Sequence, residues 1–397
     1  MRFGLSITPV ILPATLILAS CGVPSSAGGS GQAVENAVPM TETDAATAFV
    51  MEAKGKYDEP WAMAFVPGTD VLMITRKNGA VSGLDTATGK AISVGGAPKV
   101  DYGGQGGLGD IAFLPAEADG DLATRTIYLS WAEAGRGDTR GAVVGRGTLA
   151  CKDTTCDIRG LTVIWRQEPK VSGRGHYSHR LAISPDGQYL FVSSGDRQKG
   201  TPAQDPQSDL GKIVRLNLDG TPAAGNPLAD ENVARPEVWT MGHRNVLGLD
   251  FDRKGQLWGL EHGPRGGDEL NRIVAGSNYG WPVVSNGVNY NGSDIPNHST
   301  RPEFAPPAIS WNPVIAPGDL LFLKADLFSN LADKALATGL ASRTLVAVEI
   351  DAQGKGREVD RYSFDNRLRA MAEAPDGSLW VAEDGPDATL WRLSPRR

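Results

Sequence analysis

The chain of 397 residues carries 39 Lys and Arg against 46 Asp and Glu, a formal net charge of −7, with no long basic run. That balance excludes nucleic acid as an expected partner. With 49 glycines and 26 prolines, short strands joined by turns are expected in place of long helices.

The first element is a leader. Arg2 precedes a largely apolar run, Ile7 to Leu18, and then Ala19-Ser20-Cys21. The run is too short to span a bilayer and is followed by small residues, so residues 1–21 read as a secretory signal peptide. Leu18-Ala19-Ser20-Cys21 also resembles a bacterial lipobox, which makes Cys21 a lipidation site; a plainly cleaved signal is the alternative. Several acyl chains anchor far more firmly than one. The expectation is an exported, periplasmic protein held to a membrane, the outer one, by an N-terminal lipid anchor. Residues 22–46, rich in Gly, Ser and Ala, read as a flexible linker.

Residues 47–397 read as one domain. Leu72–Thr75, Thr126–Trp131 and Ser378–Ala382 are predicted strands, punctuated by Asn-Gly, Asp-Gly and Pro-Asp-Gly turns. Ala325–Leu340 is the best candidate for a helix. A degenerate unit recurs: strand, Pro/Asp/Gly turn, strand, then an acidic or glycine-rich loop. Its copies are Trp61–Thr75, Gly109–Trp131, His179–Asp196, Val246–Gly263 and Arg369–Asp384. Another strand pair, near Leu320–Leu323 and Thr344–Val348, brings the total to about six, which implies an all-β, six-bladed β-propeller. The last unit is one strand short, and Ala48–Ala53 is expected to close that blade from the N-terminus. A sandwich is the alternative, disfavoured by the regular repeat. Between Cys151 and Cys156 a disulfide across a turn is expected in an oxidising compartment. Zinc suits them less, because no nearby Cys or His completes four ligands.

Chemistry is expected on five polar loops at strand ends: Gly103–Leu108, Gly175–Leu181, Gly195–Arg197, Gly242–Asn245 and Glu261–Asn271. The last combines paired glycines and a proline with Asp268 and Glu269. Such a mixture of free carbonyls and carboxylates suits Ca²⁺, which takes six to eight oxygen ligands.

Taken in order, these loops resemble those of the soluble pyrroloquinoline-quinone-dependent glucose and aldose sugar dehydrogenases. Glu261–Asn271 running on into Asn278-Tyr279-Gly280-Trp281-Pro282 is similar to that family's signature. The resemblance covers most of residues 47–397 and implies a quinoprotein that oxidises the anomeric carbon of an aldose sugar to a lactone. Electrons would pass on to a redox acceptor. By the same resemblance His176, in His-x-x-x-Arg-Leu, is the general base and Asp196 orients it. Arg244 and Asn245 contact the quinone, Gln105 lines its pocket, and Arg367 and Arg369 face its carboxylates. Gly263 and Pro264 give carbonyls to a Ca²⁺ acting as Lewis acid, while Glu269 and Tyr279 hold a structural Ca²⁺. A neutral histidine beside a carboxylate suits proton removal, and arginines bind planar carboxylates bidentately. His179, His243 and His298 read as hydrogen-bonded or surface histidines.

The chain departs from the family at Ser342, which stands where glucose-oxidising members place a lysine on a strand. The neighbouring Arg343 is expected on that strand's opposite face. Gly175 replaces an aspartate before the base. Two other functions fit parts of the pattern: a Ca²⁺-stabilised propeller that binds sugar or protein without redox chemistry, and a Ca²⁺-dependent lactonase.

Overall fold

The computed structural model describes Met1 and residues 41–118, 123–229 and 233–396. The signal peptide and Cys21 lie outside the described residues. The remainder is an all-β, propeller-like fold with only short helical turns.

Its strands form five sheets. The largest joins two antiparallel groups of four. One runs from Pro60–Phe65 to Lys90–Gly95 and the other from Leu108–Phe113 to Thr155–Arg166; their outer strands pair in parallel. Four-stranded sheets follow from Ser178–Ile183 to Val238–Met241 and from Val246–Phe251 to Ile309–Trp311. The next sheet begins at Pro317–Phe322, ends at Gly356–Ser363, and gains Thr43–Asp44 on its edge. In the last, Leu368–Glu373, Leu379–Glu383 and Ala388–Pro395 are completed by Phe49–Tyr57, paired antiparallel with Phe49 opposite Pro395. Thus the expected N-terminal strand does complete the C-terminal sheet. Within the stretch read as a linker, Thr43–Asp44 add to a sheet edge.

The first strand of each group packs against the first strand of the next, and Leu368–Glu373 returns to Pro60–Phe65. These strands carry few side chains that need water, and the apolar clusters sit between neighbouring sheets. A repeated carboxylate device fastens them. Asp110 accepts from its neighbour Ile111 N at 3.0 Å and from Leu181 N on the next first strand at 2.8 Å. Asp250 does the same with Phe251 and Phe322, and Asp319 with Leu320 and Met371. Each carboxylate thereby satisfies two buried N–H groups that the sheet ladder leaves over.

Inside the ring, Arg180 lies between Asp110 and Asp319, 3.4 Å from each, and donates to the carbonyls of Leu247 and Gly318. Its guanidinium covers the Trp61 ring at 4.3 Å.

Ala325–Leu340 is not a helix. Residues through Asp333 form turns that drop Phe328 and Leu331 into the core, and Ala335–Gly339 is a strand paired on both sides. Tertiary pairing overrides the helical propensity of its alanines and leucines. Cys151 and Cys156, directly opposite in the hairpin of Arg140–Lys152 and Thr155–Arg166, are joined by a disulfide.

Candidate active site

The five polar loops bring most of the sequence-predicted residues together. Backbone comes first. His176 has φ +48°, a conformation unusual for a non-glycine residue, and its backbone N–H donates to Gln105 Oε1 at 2.6 Å. Gly195 makes this possible, because a Cβ there would lie 2.0 Å from the His176 carbonyl oxygen. Gln105 therefore holds the histidine as well as lining the cavity beside it.

His176 is buried, 8 % exposed. Its Nδ1 is 2.7 Å from Asp196 Oδ1. Gln198 N also donates to Oδ1, while Gly200 N and Trp281 Nε1 donate to Oδ2, the indole at 2.7 Å. Burial alone would raise Asp196, but the His176 and Trp281 hydrogen bonds hold its carboxyl below the usual carboxylate range. An ionised Asp196 can only accept, so His176 Nδ1 carries the proton and Nε2 is the basic nitrogen. Burial, with help from the Arg244 charge, keeps the imidazole below its ordinary value of 6.5 despite the Asp196 hydrogen bond.

Beside this pair the strand end at Glu261 organises the next layer. Glu261 accepts from Arg244 N at 2.8 Å and pairs with His243 Nδ1 at 2.9 Å. The Arg244 side chain donates to the His262 carbonyl and to the Tyr290 hydroxyl, and its Nε is buried without a partner. Asn245 Oδ1 accepts from Ser178 N. The other histidines are structural, as read from sequence: His179 faces Ser130 Oγ at 2.8 Å and His243 faces Thr240, while His298 contacts the Tyr279 carbonyl. His262 faces the Pro317 carbonyl and burial depresses it to about 3, so it too is neutral.

Two neighbouring cavities result. The larger, about 940 Å³ including its open mouth, is lined by Gln105, Asn245, His262, Arg367 and Arg369 among others. The smaller, about 250 Å³ including its open mouth, is lined by Arg244, His262, Gly263, Glu269, Tyr279 and Trp281. His262 belongs to both. His176 lines neither: its backbone N–H meets Gln105, which lines the larger, and its partner Asp196 meets Trp281, which lines the smaller.

The lining of the larger cavity suits an anionic ligand. Lys77, Arg367 and Arg369 face it against Glu59 and Asp384, an excess of one cation, and the two arginines share Asp384 through their Nε atoms. The smaller cavity fits a hard cation. Burial, then the neighbouring Glu261 carboxylate, pushes Glu269 well above the carboxylate range, and Asn271 Oδ1 is buried there without a partner. A cation would relieve both. Among the described residues the Gly263 and Pro264 carbonyls accept no hydrogen bond, and no three His, Cys, Asp or Glu side chains converge as a metal cluster. Any ion there would rest on few carboxylates and several backbone oxygens. The Tyr279 hydroxyl is spoken for by Arg272 O and Val274 N, so only its carbonyl could contribute.

Two departures acquire a physical reason. Ser342 lies in a turn, not a strand, with its hydroxyl 2.7 Å from Thr344 Oγ1; Arg343, at φ +56°, points its guanidinium to the Asp365 carbonyl. At Gly175 a Cβ would meet the Gln198 side chain at 2.4 Å, so the Gln198 amide fills the space an aspartate would need.

An all-β ring with a buried histidine–carboxylate pair beside a cation-rimmed cavity defines a propeller-like protein equipped for proton transfer. The glucose / sorbosone dehydrogenase family matches the chain over residues 57–392. Aldose sugar dehydrogenase YliI of Escherichia coli (strain K12) is 34 % identical over 358 residues, covering 88 % of this chain and 94 % of that protein. A crystal structure of a glucose dehydrogenase agrees with a TM-score of 0.80 at 32 % identity, covering 87 % of this chain and 100 % of that one. The PQQ-bound form of aldose sugar dehydrogenase from Streptomyces coelicolor gives 0.69 at 25 % identity, covering 88 % and 98 %. The chain belongs to the glucose / sorbosone dehydrogenase family.

Proposed function

We propose that this protein is a six-bladed, pyrroloquinoline-quinone- and Ca²⁺-dependent aldose dehydrogenase that oxidises the anomeric carbon of a sugar to a lactone. The observation that carries the reading is the His176–Asp196 pair, held by Gln105 and Trp281 beside a cavity rimmed by Arg367 and Arg369. The closed succession of six first strands supports the blade count.

Arg244, Asn245, Arg367 and Arg369 would hold the cofactor, and Gly263, Pro264, Glu269 and the Tyr279 carbonyl would hold calcium. When bound, the quinone supplies a two-electron acceptor and the ion a Lewis acid. The chain's own residues supply positioning and proton transfer. His176 Nε2 takes the proton of the anomeric hydroxyl as hydride leaves the same carbon. Asp196 stabilises the imidazolium that forms and keeps Nε2 aimed outward.

The test is reconstitution with Ca²⁺ and pyrroloquinoline quinone, then dye reduction over a panel of aldoses. Turnover is expected, with an acid limb in kcat below pH 6.5, because a base whose pKa is lowered stays neutral down to that region. Absence of both a cofactor spectrum and turnover would overturn the reading. Ser342, turned inward to Thr344, favours a second reading, sugar binding without redox chemistry; retained glycan binding without cofactor uptake would support that instead.

For localisation we infer an exported, periplasmic lipoprotein anchored through Cys21 and working with a separate electron acceptor. Metabolic labelling with a radioactive fatty acid should mark the native chain and miss a Cys21→Ser variant; equal labelling of both would exclude the anchor.

A further inference from the structure

Asp196 is hydrogen-bonded from both ends. His176 Nδ1 and Gln198 N serve Oδ1, Gly200 N and Trp281 Nε1 serve Oδ2. Of the two side-chain donors other than backbone, His176 is the reacting partner and Trp281 is the fixed one. It comes from 85 residues further along the chain, and its own backbone is doubly held: Trp281 N donates to the Gly242 carbonyl at 2.9 Å, and Gln204 Nε2 donates to the Trp281 carbonyl at 2.7 Å. Gln204 in turn exchanges hydrogen bonds with Asn278. The indole ring also lies under the Arg244 guanidinium, 5.2 Å from ring centroid to carbon, within reach of a cation–π attraction.

We infer that Trp281 is a positioning residue for this site, its indole N–H fixing the plane of Asp196 so that Oδ1 meets His176, and its ring setting the place of Arg244. The inference rests on the dehydrogenase reading given above. Its physical content is that one side chain sets both the proton acceptor's orientation and the neighbouring cation. An imidazole held by a carboxylate that can swivel would lose its fixed tautomer and direction. Burial of the pair makes an N–H donor to the carboxylate count for more than it would in water.

The charged and titratable groups facing His176 are Asp196, Arg244, Arg197 and His262. Removing the indole N–H concentrates negative charge on Asp196, which strengthens its hold on a protonated His176. The imidazole should therefore titrate at higher pH.

The experiment uses the full mature chain. Trp281→Phe keeps an aromatic ring and removes the donor; benzothienylalanine, placed at 281 by codon suppression, swaps N–H for sulfur at nearly constant shape. In both, nitrogen-detected NMR of His176 without cofactor should show its titration moved up by roughly half a unit or more. With Ca²⁺ and quinone loaded, kcat should fall roughly tenfold or more, KM should change little, and the acid limb should move up with the NMR titration. An unmoved His176 titration in the benzothienyl variant would overturn the inference. That measurement needs no turnover, so a native protein that fails to oxidise any sugar would overturn the dehydrogenase reading while leaving Trp281 to be judged on its own.

Discussion

Replacing His176 by asparagine should lower kcat for aldose oxidation by roughly 10²–10⁴ while the fold and cofactor uptake persist. Asparagine is the substitution of choice because position 176 has φ +48°. Outside glycine, Asn tolerates that region best, so the loop geometry survives. The backbone N–H would still reach Gln105 Oε1, and the amide could still donate to Asp196. What disappears is Nε2, the one basic nitrogen of the pair, since Asp196 remains anionic and committed to its donors. Cofactor affinity should stay within a few-fold because the cavity rim at Lys77, Arg367 and Arg369 is untouched. Steady-state kinetics of the reconstituted variant, beside a quinone absorption spectrum, separate these effects. A variant retaining activity within tenfold of native would mean that another group takes the proton. His262, neutral and bordering both cavities, would be the next candidate.

Most strands of the ring were legible because their hairpins carry a Pro/Asp/Gly turn between apolar runs. Ala182–Gly187 and Ala372–Gly377 read the same in sequence and both close hairpins between paired strands. Ala325–Leu340 was misleading for a local reason: its alanines and leucines favour helix, but hydrogen bonds on both sides of Ala335–Gly339 come from the flanking strands Pro317–Phe322 and Thr344–Ile350, outside that window. At the site, His176 and Asp196 were found through motifs, and the structure sets them 2.7 Å apart. The partner set was harder to see. Nothing in Trp281 itself signals that its N–H meets a carboxylate 85 residues away, and Gln105 was read as a cavity wall while its oxygen binds the His176 backbone. Glu261, at the head of the glycine-rich loop, organises Arg244 and His243, a role visible only once two loops are juxtaposed. Arg343 was misplaced because the turn at Leu340–Ser342 looks like strand in a run of alternating residues.

The residue with the largest expected effect on stability is Arg180, the arginine of the His-x-x-x-Arg-Leu motif. Arg180→Met should destabilise the protein by about 3–5 kcal/mol at neutral pH, the usual consequence of stripping one partner from a buried ionic group. The guanidinium serves Asp110, Asp319 and the carbonyls of Leu247 and Gly318. Methionine fills similar volume and leaves two carboxylates and two carbonyls without it. Its ring contact also braces Trp61, which together with Leu247 lines the larger cavity, so some loss of cofactor affinity should accompany the loss of stability. The pH dependence follows from the carboxylates. Burial already raises Asp319 to about 7, against the lowering effect of Arg180, and raises Asp110 in the same way. Without the arginine both should rise further. A carboxyl whose folded value exceeds its unfolded value binds its proton first in the folded state, so lowering the pH from about 7 toward 4 favours folding. The deficit of the variant relative to native protein should therefore be greatest near pH 7 to 8 and shrink on acidification. Arg180→Lys should fall between the two, because an ammonium restores charge but lacks the planar fork that reaches four acceptors at once. Urea unfolding at pH 8, 7 and 5.5 measures all three proteins. A methionine variant within about 1 kcal/mol of native at pH 7 would show that the ring closes without its central cation, leaving the carboxylate bridges between first strands to hold it.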